Sequence, residues 1–419
     1  MGVQERQQAN SADREPQQLH SPTPLLYSAA MSRQAGCNVW LKLENMQPTQ
    51  SSKIRGIGSL CRKAVAELGA EQLVAAGDTN TSLAVAYSGR RLGVPVSVFV
   101  PGGGQAPPIR PKIELEGAVV VEEGLTLRDA YRAAQAFASK TATAFLVDSS
   151  DDPAAVSGSA TLASEINVQL QGREPAAIVT AVGSGALLAG IIVGLQQCRW
   201  QRVPVIAVET HNTNSFQQAL LSDDPEVPSR QPPPSLLPPL EAEHGPDGDS
   251  AALHQSRPRT AAGDQRTKEP TVATCLLAGA PNQTALELSR EHPVVPVSIT
   301  EAMAVEACRR LLDEHQMLVE AGSAAALSVV GKGLIHQIIP GLDHESHVVV
   351  VVTGGANVSL DRLDSWRQRF ACPAPIIAKS GNEVFMRMVD SAQPAASAAS
   401  ASPGHGRSGD TSAVSSQAA

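Results

Sequence analysis

Short runs of β-branched residues alternate along the chain with Ala- and Leu-rich stretches of helical period. VWLKLEN (39–45), VPVSVFVP (94–101), AVVVE (118–122), IVTAV (178–182), VPVIAVE (203–209) and VVVVVT (348–353) are near-continuous apolar runs of strand length. Between them lie amphipathic segments such as DAYRAAQAFASK (129–140) and AMAVEACRRLLDEH (302–315). Strands with no polar face are buried on both sides, and their alternation with helices predicts parallel sheets flanked by helices. The pattern assigns the α/β class.

Three segments break this rhythm. Residues 1–20 are polar and mixed in charge and read as a disordered arm. Residues 222–268, opening SDDPEVPSRQPPPSLLPPLEAEHGPDGDS, are rich in Pro and charge and read as a flexible insertion in a surface loop. Such an insertion costs little, because loop-closure entropy grows slowly with length. Residues 371–419, with AASAASASPGHG among them, read mostly as a low-complexity tail.

A chain of 419 residues is long enough for two domains with substantial cores. A net charge of -8 and an aromatic content of 3% exclude the basic, base-stacking surface of a nucleic-acid binder and an anionic-membrane binder. No apolar run approaches the roughly 20 residues of a membrane span. Six cysteines without CxxC spacing form neither a disulfide framework nor a zinc site, which places the chain in the reducing cytosol.

Four stretches have the residue types for chemistry. In TQSSKIRGIG (49–58), Lys53 follows small polar residues with none of the acidic neighbours of a solvated helix-surface lysine. In VGSGALLAGIIVGL (182–195) a strand ends at Val182, a turn spans Gly183 to Ala186 and an apolar helix begins at Leu187. Amides in such a turn suit a phosphate, though a close-packed strand-to-helix corner reads the same way. Leu188 stands where a dinucleotide fingerprint needs its third glycine. In TGGANVSL (353–360), Thr353 ends the strongest strand, where open α/β sheets place their ligands. In AAGDTNTSLAV (75–85), Asp78, Thr79, Asn80 and Thr81 sit at a helix start, which can hold a carboxylate or merely cap the helix.

The order and spacing of these stretches resemble the fold-type II pyridoxal-phosphate enzymes of tryptophan synthase β type. The resemblance is strongest to the animal-type L-serine dehydratase family. ENMQPTQSSKIRGIG (44–58) is similar to that family's lysine segment, and RRLGVP (90–95), VPVIAVETH (203–211), MLVEAGSAAAL (317–327) and VVVTGGANVSL (350–360) continue the likeness. It covers nearly everything from Pro22 to Leu363.

The resemblance implies two domains with the active site in the cleft between them. Residues 21–44 and 151–370 would form the large cofactor-binding domain and 45–150 the small one. It implies pyridoxal 5'-phosphate held covalently by Lys53, with Gly183, Ser184, Gly185, Ala186 and Leu187 around the phosphate. Asn80 would stand beside the ring hydroxyl and Thr353 at the ring nitrogen. Asp78, Thr79, Asn80 and Thr81 would meet the amino-acid substrate, and Glu209 matches a position where relatives bind a monovalent or divalent cation. The implied activity is elimination of ammonia from L-serine or L-threonine, in a cytoplasmic homodimer.

Several residues depart from the family pattern. Ser52 replaces a phenylalanine, Gln50 a glycine, and Asp148 and Ser149 replace prolines. Ser184 and Ala186 interrupt a run of glycines, which strains the turn if either needs a positive φ. Asp78 brings a negative charge to a loop expected to take a carboxylate. At ~5 Å and an effective dielectric of ~20, two like charges repel by roughly 3 kcal/mol. These departures leave open a catalytically degenerate relative, or one acting on another amino acid.

Overall fold

The structure is a computed structural model that describes residues 18–104, 106–148, 151–222, 271–278, 280–330, 334–370, 376–380 and 383–387. The expected arm over residues 1–17, nearly all of the 222–268 insertion, Ser149 and the terminal stretch from 388 lie outside the described residues.

Among the described residues, twelve strands form two sheets. They are β1 (Leu25–Tyr27), β2 (Asn38–Leu43), β3 (Gln72–Ala76), β4 (Val96–Val100), β5 (Val119–Glu122), β6 (Ala144–Leu146), β7 (Ala177–Ala181), β8 (Val205–Thr210), β9 (Val294–Ile299), β10 (His347–Val352), β11 (Ile376–Ser380) and β12 (Glu383–Arg387). The larger sheet has the order β1-β2-β10-β7-β8-β9-β11-β12 and the smaller β5-β4-β3-β6. The smaller sheet is wholly parallel. In the larger one β2, β10, β7, β8 and β9 run parallel, with antiparallel strands at both margins.

The valine run shows why a continuous apolar strand belongs at the centre. Val348, Val350 and Val352 enter one hydrophobic core and Val349 and Val351 another on the opposite face, all fully buried. A strand's side chains alternate between faces, so a strand covered on both sides needs apolar residues at every position. The smaller sheet has its own core, in which Leu73 and Val98 pack with Ile54, Ile57 and Leu60. The last three come from the Lys53–Ala66 helix.

Two boundary expectations are corrected. Leu19 is buried in the smaller sheet's core and His20 meets the Thr161 hydroxyl at 3.3 Å, so residues 18–20 belong to the fold and not to an arm. Residues 376–380 and 383–387 form the antiparallel pair β11–β12, which pairs with β9 and extends the larger sheet, where a tail was expected. Low complexity of the residues that follow masked this strand pair.

Candidate active site

Backbone pairing between two distant loops sets the position of Lys53. Ser51 and Gly354 form a β-bridge, the Ser52 amide donates to the Thr353 carbonyl at 2.9 Å, and the Gly355 amide donates to the Gln50 carbonyl at 2.7 Å. Lys53, first residue of its helix, is thereby placed beside the end of β10. The fit is tight. Gly354 has φ +84, and a Cβ there would stand 2.2 Å from the Gln50 carbonyl oxygen. Gln50, which replaces a glycine of the family pattern, adopts φ +59 and keeps the left-handed turn despite its side chain.

The Lys53 amine makes no hydrogen bond or ion pair among the described residues, and burial lowers its pKa below the usual lysine value. The residue keeps an intermediate share of its surface accessible, but protein crowds the amine closely enough to disfavour the charged form. The Thr353 hydroxyl likewise has no partner among the described residues.

Cys275 connects Lys53 to the glycine turn. Its thiol is near enough to the amine to interact with its charge, and its carbonyl oxygen would lie 3.3 Å from a Cβ on Gly183. A Cβ on Gly322 would fall 2.4 Å from the Cys275 sulfur, so the bare glycine makes room for the thiol. Burial pushes the thiol's pKa up, and the neighbouring Glu320 carboxylate adds to the effect.

The turn itself is unstrained. The helix begins at Ala186, one residue before the expected Leu187, and only Gly185 takes a positive φ, +97. Ser184 and Ala186 therefore cost nothing there. The amides of Gly183, Ser184, Gly185, Ala186, Leu187 and Leu188 have no partner among the described residues. That is more than the four orphan donors of an ordinary helix start. Asn282 lies against this turn, with its amide donating to the Ser184 carbonyl at 2.6 Å and its Cβ 3.5 Å from where a Gly185 side chain would begin. Its Oδ1 caps the Gln283–Glu291 helix through the Ala285 amide at 2.7 Å, while its buried Nδ2 has no partner.

From the smaller sheet comes Asn80, first residue of the Asn80–Leu92 helix. Its Nδ2 donates to Glu320 at 2.8 Å and its Oδ1 accepts from the Ala356 amide at 2.9 Å. Glu320 is buried and also accepts from the Asn357 amide at 3.0 Å. Lys112 reaches the same place, donating to Gln50 at 3.0 Å and to the Ala356 carbonyl at 2.9 Å. Thr79 is the helix cap, accepting from the Ser82 amide at 3.2 Å. The Asn80 and Thr81 amides have no partner among the described residues.

Asp78 does not present a bare charge to this loop. Both its oxygens accept from Arg110, from Nε at 3.0 Å and Nη2 at 2.7 Å. The like-charge penalty expected of an inward Asp78 is thus offset by a partner 32 residues away. Glu209, at the end of β8, is also committed: its oxygens accept from the Phe216 and Gln217 amides at 3.0 and 2.8 Å. Burial pushes its pKa up to about 8. Among the described residues no group of three or more His, Cys, Asp or Glu side chains is placed to hold a metal ion. Asp148 accepts from the Tyr131 hydroxyl at 3.0 Å.

Sequence reasoning missed Glu320, Arg110, Cys275 and Asn282. Only Glu320 lay in a quoted motif, and none of the four has a local pattern announcing its role.

The donor set fits pyridoxal phosphate, with free amides and an orphaned Asn282 nitrogen for an anion, a lone hydroxyl, and an amine held below its usual pKa. Comparison with known proteins agrees. A family model described as pyridoxal-phosphate dependent enzyme matches residues 16–354. The serine dehydratase-like protein of Mus musculus is 34% identical over 357 residues, covering 84% of this chain and 96% of the relative. The L-serine dehydratase/L-threonine deaminase of Homo sapiens is 32% identical over 360 residues, covering 84% and 95%. The crystal structure of a fungal L-serine ammonia-lyase from Rhizomucor miehei superposes with a TM-score of 0.70 at 36% identity, covering 84% of this chain and all of that one. With the lysine, the amide-lined turn and the hydroxyl in one place, and relatives matched across nearly their whole length, the chain belongs to the pyridoxal-phosphate dependent enzymes of fold type II.

Proposed function

We propose that the protein releases ammonia from L-serine, L-threonine or both, giving pyruvate or 2-oxobutanoate, the water lost with the β-hydroxyl being taken up again as the nitrogen is hydrolysed off. The observation that carries the reading is the Lys53 amine, unpartnered and held below its usual pKa beside Thr353 and the Cys275 thiol.

When bound, pyridoxal phosphate supplies an aldehyde that joins amines and an electron-withdrawing ring that spreads charge released at the substrate's α-carbon. The chain's own residues do the rest. A neutral Lys53 is both a nucleophile and a base, able to take the α-proton once its nitrogen is free. The turn at Gly183–Leu187 would hold the phosphate through backbone amides at a helix start. The Asn80 and Thr81 amides would take the substrate carboxylate. Thr353 would offer the ring nitrogen a neutral hydroxyl in place of a carboxylate, which keeps the ring a moderate electron sink and favours prompt loss of the β-hydroxyl over transamination.

Two of the departures behind the degenerate reading weigh less, since the glycine turn is unstrained and Asp78 is paired. A cytosolic homodimer, with a cation near Glu209, is the form we infer for the working enzyme from the family resemblance. No helix among the described residues is long and apolar enough to cross a membrane.

The test is direct. Protein incubated with pyridoxal phosphate turns yellow, borohydride fixes the cofactor on the Lys53 peptide in a mass spectrum, and serine or threonine yields a 2-oxo acid. A colourless protein, or cofactor fixed on another lysine, overturns the cofactor assignment. A yellow protein that releases no 2-oxo acid from either substrate overturns the activity.

A further inference from the structure

We propose that Arg110 is a positioning residue for substrate binding, which keeps the Asp78–Thr81 loop receptive to a carboxylate by neutralising Asp78. The inference rests on the function proposed above and concerns how this chain reconciles an acidic loop residue with an anionic substrate group.

Asp78 immediately precedes the helix cap Thr79, and the free amides of Asn80 and Thr81 follow it. Those amides and the positive end of a 13-residue helix attract an anion, and an unbalanced Asp78 would compete for that attraction and repel the substrate. Arg110 removes the conflict. Its planar fork takes both Asp78 oxygens, at 3.0 and 2.7 Å, and the two side chains are each only 11% exposed. Bidentate pairing of this kind fixes direction as well as charge.

The guanidinium is anchored independently of Asp78. Its Nη1 donates to Glu122 at 2.6 Å and its Nη2 to the Pro101 carbonyl at 3.3 Å, so the ends of β4 and β5 both hold it. Lysine could not replace it, because one ammonium cannot span both Asp78 oxygens and still reach Glu122 and Pro101 in fixed directions.

The experiment compares wild type, Arg110→Met and the double variant Asp78→Asn/Arg110→Met, all loaded with cofactor. For each, thermal unfolding is recorded, kcat and KM for L-serine are measured, and the dissociation constant of L-alanine, which has no β-hydroxyl to lose, is read from the cofactor's absorbance. Arg110→Met is expected to raise KM and the L-alanine constant by at least about 30-fold, with kcat within about 3-fold. The deficit should shrink as salt is raised, because a bare partly exposed charge is screened. Removing the carboxylate too should bring both constants back to within about 3-fold of wild type.

A folded Arg110→Met variant with unchanged constants overturns the proposal. So does a double variant as impaired as the single one, which would make Arg110 a scaffold residue only. If Arg110→Met does not fold, the double variant against wild type decides alone: binding restored supports charge balance, binding lost refutes it. Wild type that binds L-alanine but never releases a 2-oxo acid sinks the proposed activity while leaving this comparison readable. Wild type that binds neither amino acid overturns the inference as well.

Discussion

Arg55 and Glu44 are both wholly buried and are joined by two bonds of 2.7 Å, from Nε and Nη2. Arg55 follows Lys53 by two positions on the same helix. Its Nη1 donates to Glu165 on the Pro153–Gln169 helix at 2.7 Å and to Thr161 at 2.9 Å, and Nη2 also donates to Glu165 at 2.9 Å. Lys42 joins Glu165 from β2 at 2.5 Å. Two cations and two carboxylates thus balance in the interior. They lock the helix that begins with Lys53 against β2 and the Pro153–Gln169 helix.

Breaking this network from one side leaves carboxylates buried without a counter-charge. Arg55→Met is expected to lower the unfolding free energy by about 3–5 kcal/mol. Glu44→Gln/Arg55→Met, which removes charge from both partners, should lose less. Urea denaturation of the three proteins at one pH checks the ordering.

His20 sits beside this network, and its pKa is lowered to about 4 by burial first and the Arg55 charge second, with Glu165 and Glu44 opposing and Arg62 adding slightly. The unfolded chain takes up the imidazole proton near 6.5. Between pH 6.5 and 4 the unfolded state therefore holds more protons, and stability falls as pH falls through that window. His20→Gln, which can still meet the Thr161 hydroxyl, should show a shallower fall there. Thermal midpoints at pH 7, 5.5 and 4 read the difference.

Lys53 gives the same sign at higher pH. Burial lowers its folded pKa, so below the unfolded value of 10.5 the unfolded chain binds the extra proton and the folded state is disfavoured. The cost is full below the folded pKa and vanishes as pH rises through 10.5. Cofactor-stripped Lys53→Met should therefore be more stable than stripped wild type at pH 7, and the gap should narrow by pH 10. Urea midpoints at the two pH values measure it, and a gap that does not change with pH would count against a depressed lysine.

Asn282 offers a prediction about cofactor affinity. Asn282→Asp keeps the oxygen that caps its helix but replaces the unpartnered Nδ2 with a second, negatively charged oxygen beside the glycine turn. The dissociation constant for pyridoxal phosphate should rise by at least about tenfold, since a lost buried donor and an added like charge each cost more than 1 kcal/mol. Titration of stripped protein followed by absorbance checks it, with Asn282→Ser, which keeps a capping oxygen without the charge, falling between.

The strands were legible where burial on both faces demands a continuous apolar run, as in Val348–Val352. β9 was not, because Pro296 interrupts its β-branched run. β11 and β12 were hidden in a segment whose neighbours read as tail. Within the site, the stretches around Lys53, Thr353 and Gly183–Leu187 stand out as a polar turn, a strand end and a glycine turn, and the roles proposed for them come from the family resemblance. The partners that tune them do not stand out. Arg110 meets Asp78 across 32 positions and Glu320 meets Asn80 across 240, contacts set by topology with no periodic trace in the chain. The worry over Asp78 arose from reading one half of a pair.

Ala356 is gripped on both sides of its backbone, its amide by Asn80 and its carbonyl by Lys112. Those two side chains belong to different helices of the smaller lobe. Ala356 itself packs in the smaller sheet's core, so one small alanine ties the starts of two helices to the segment that follows β10.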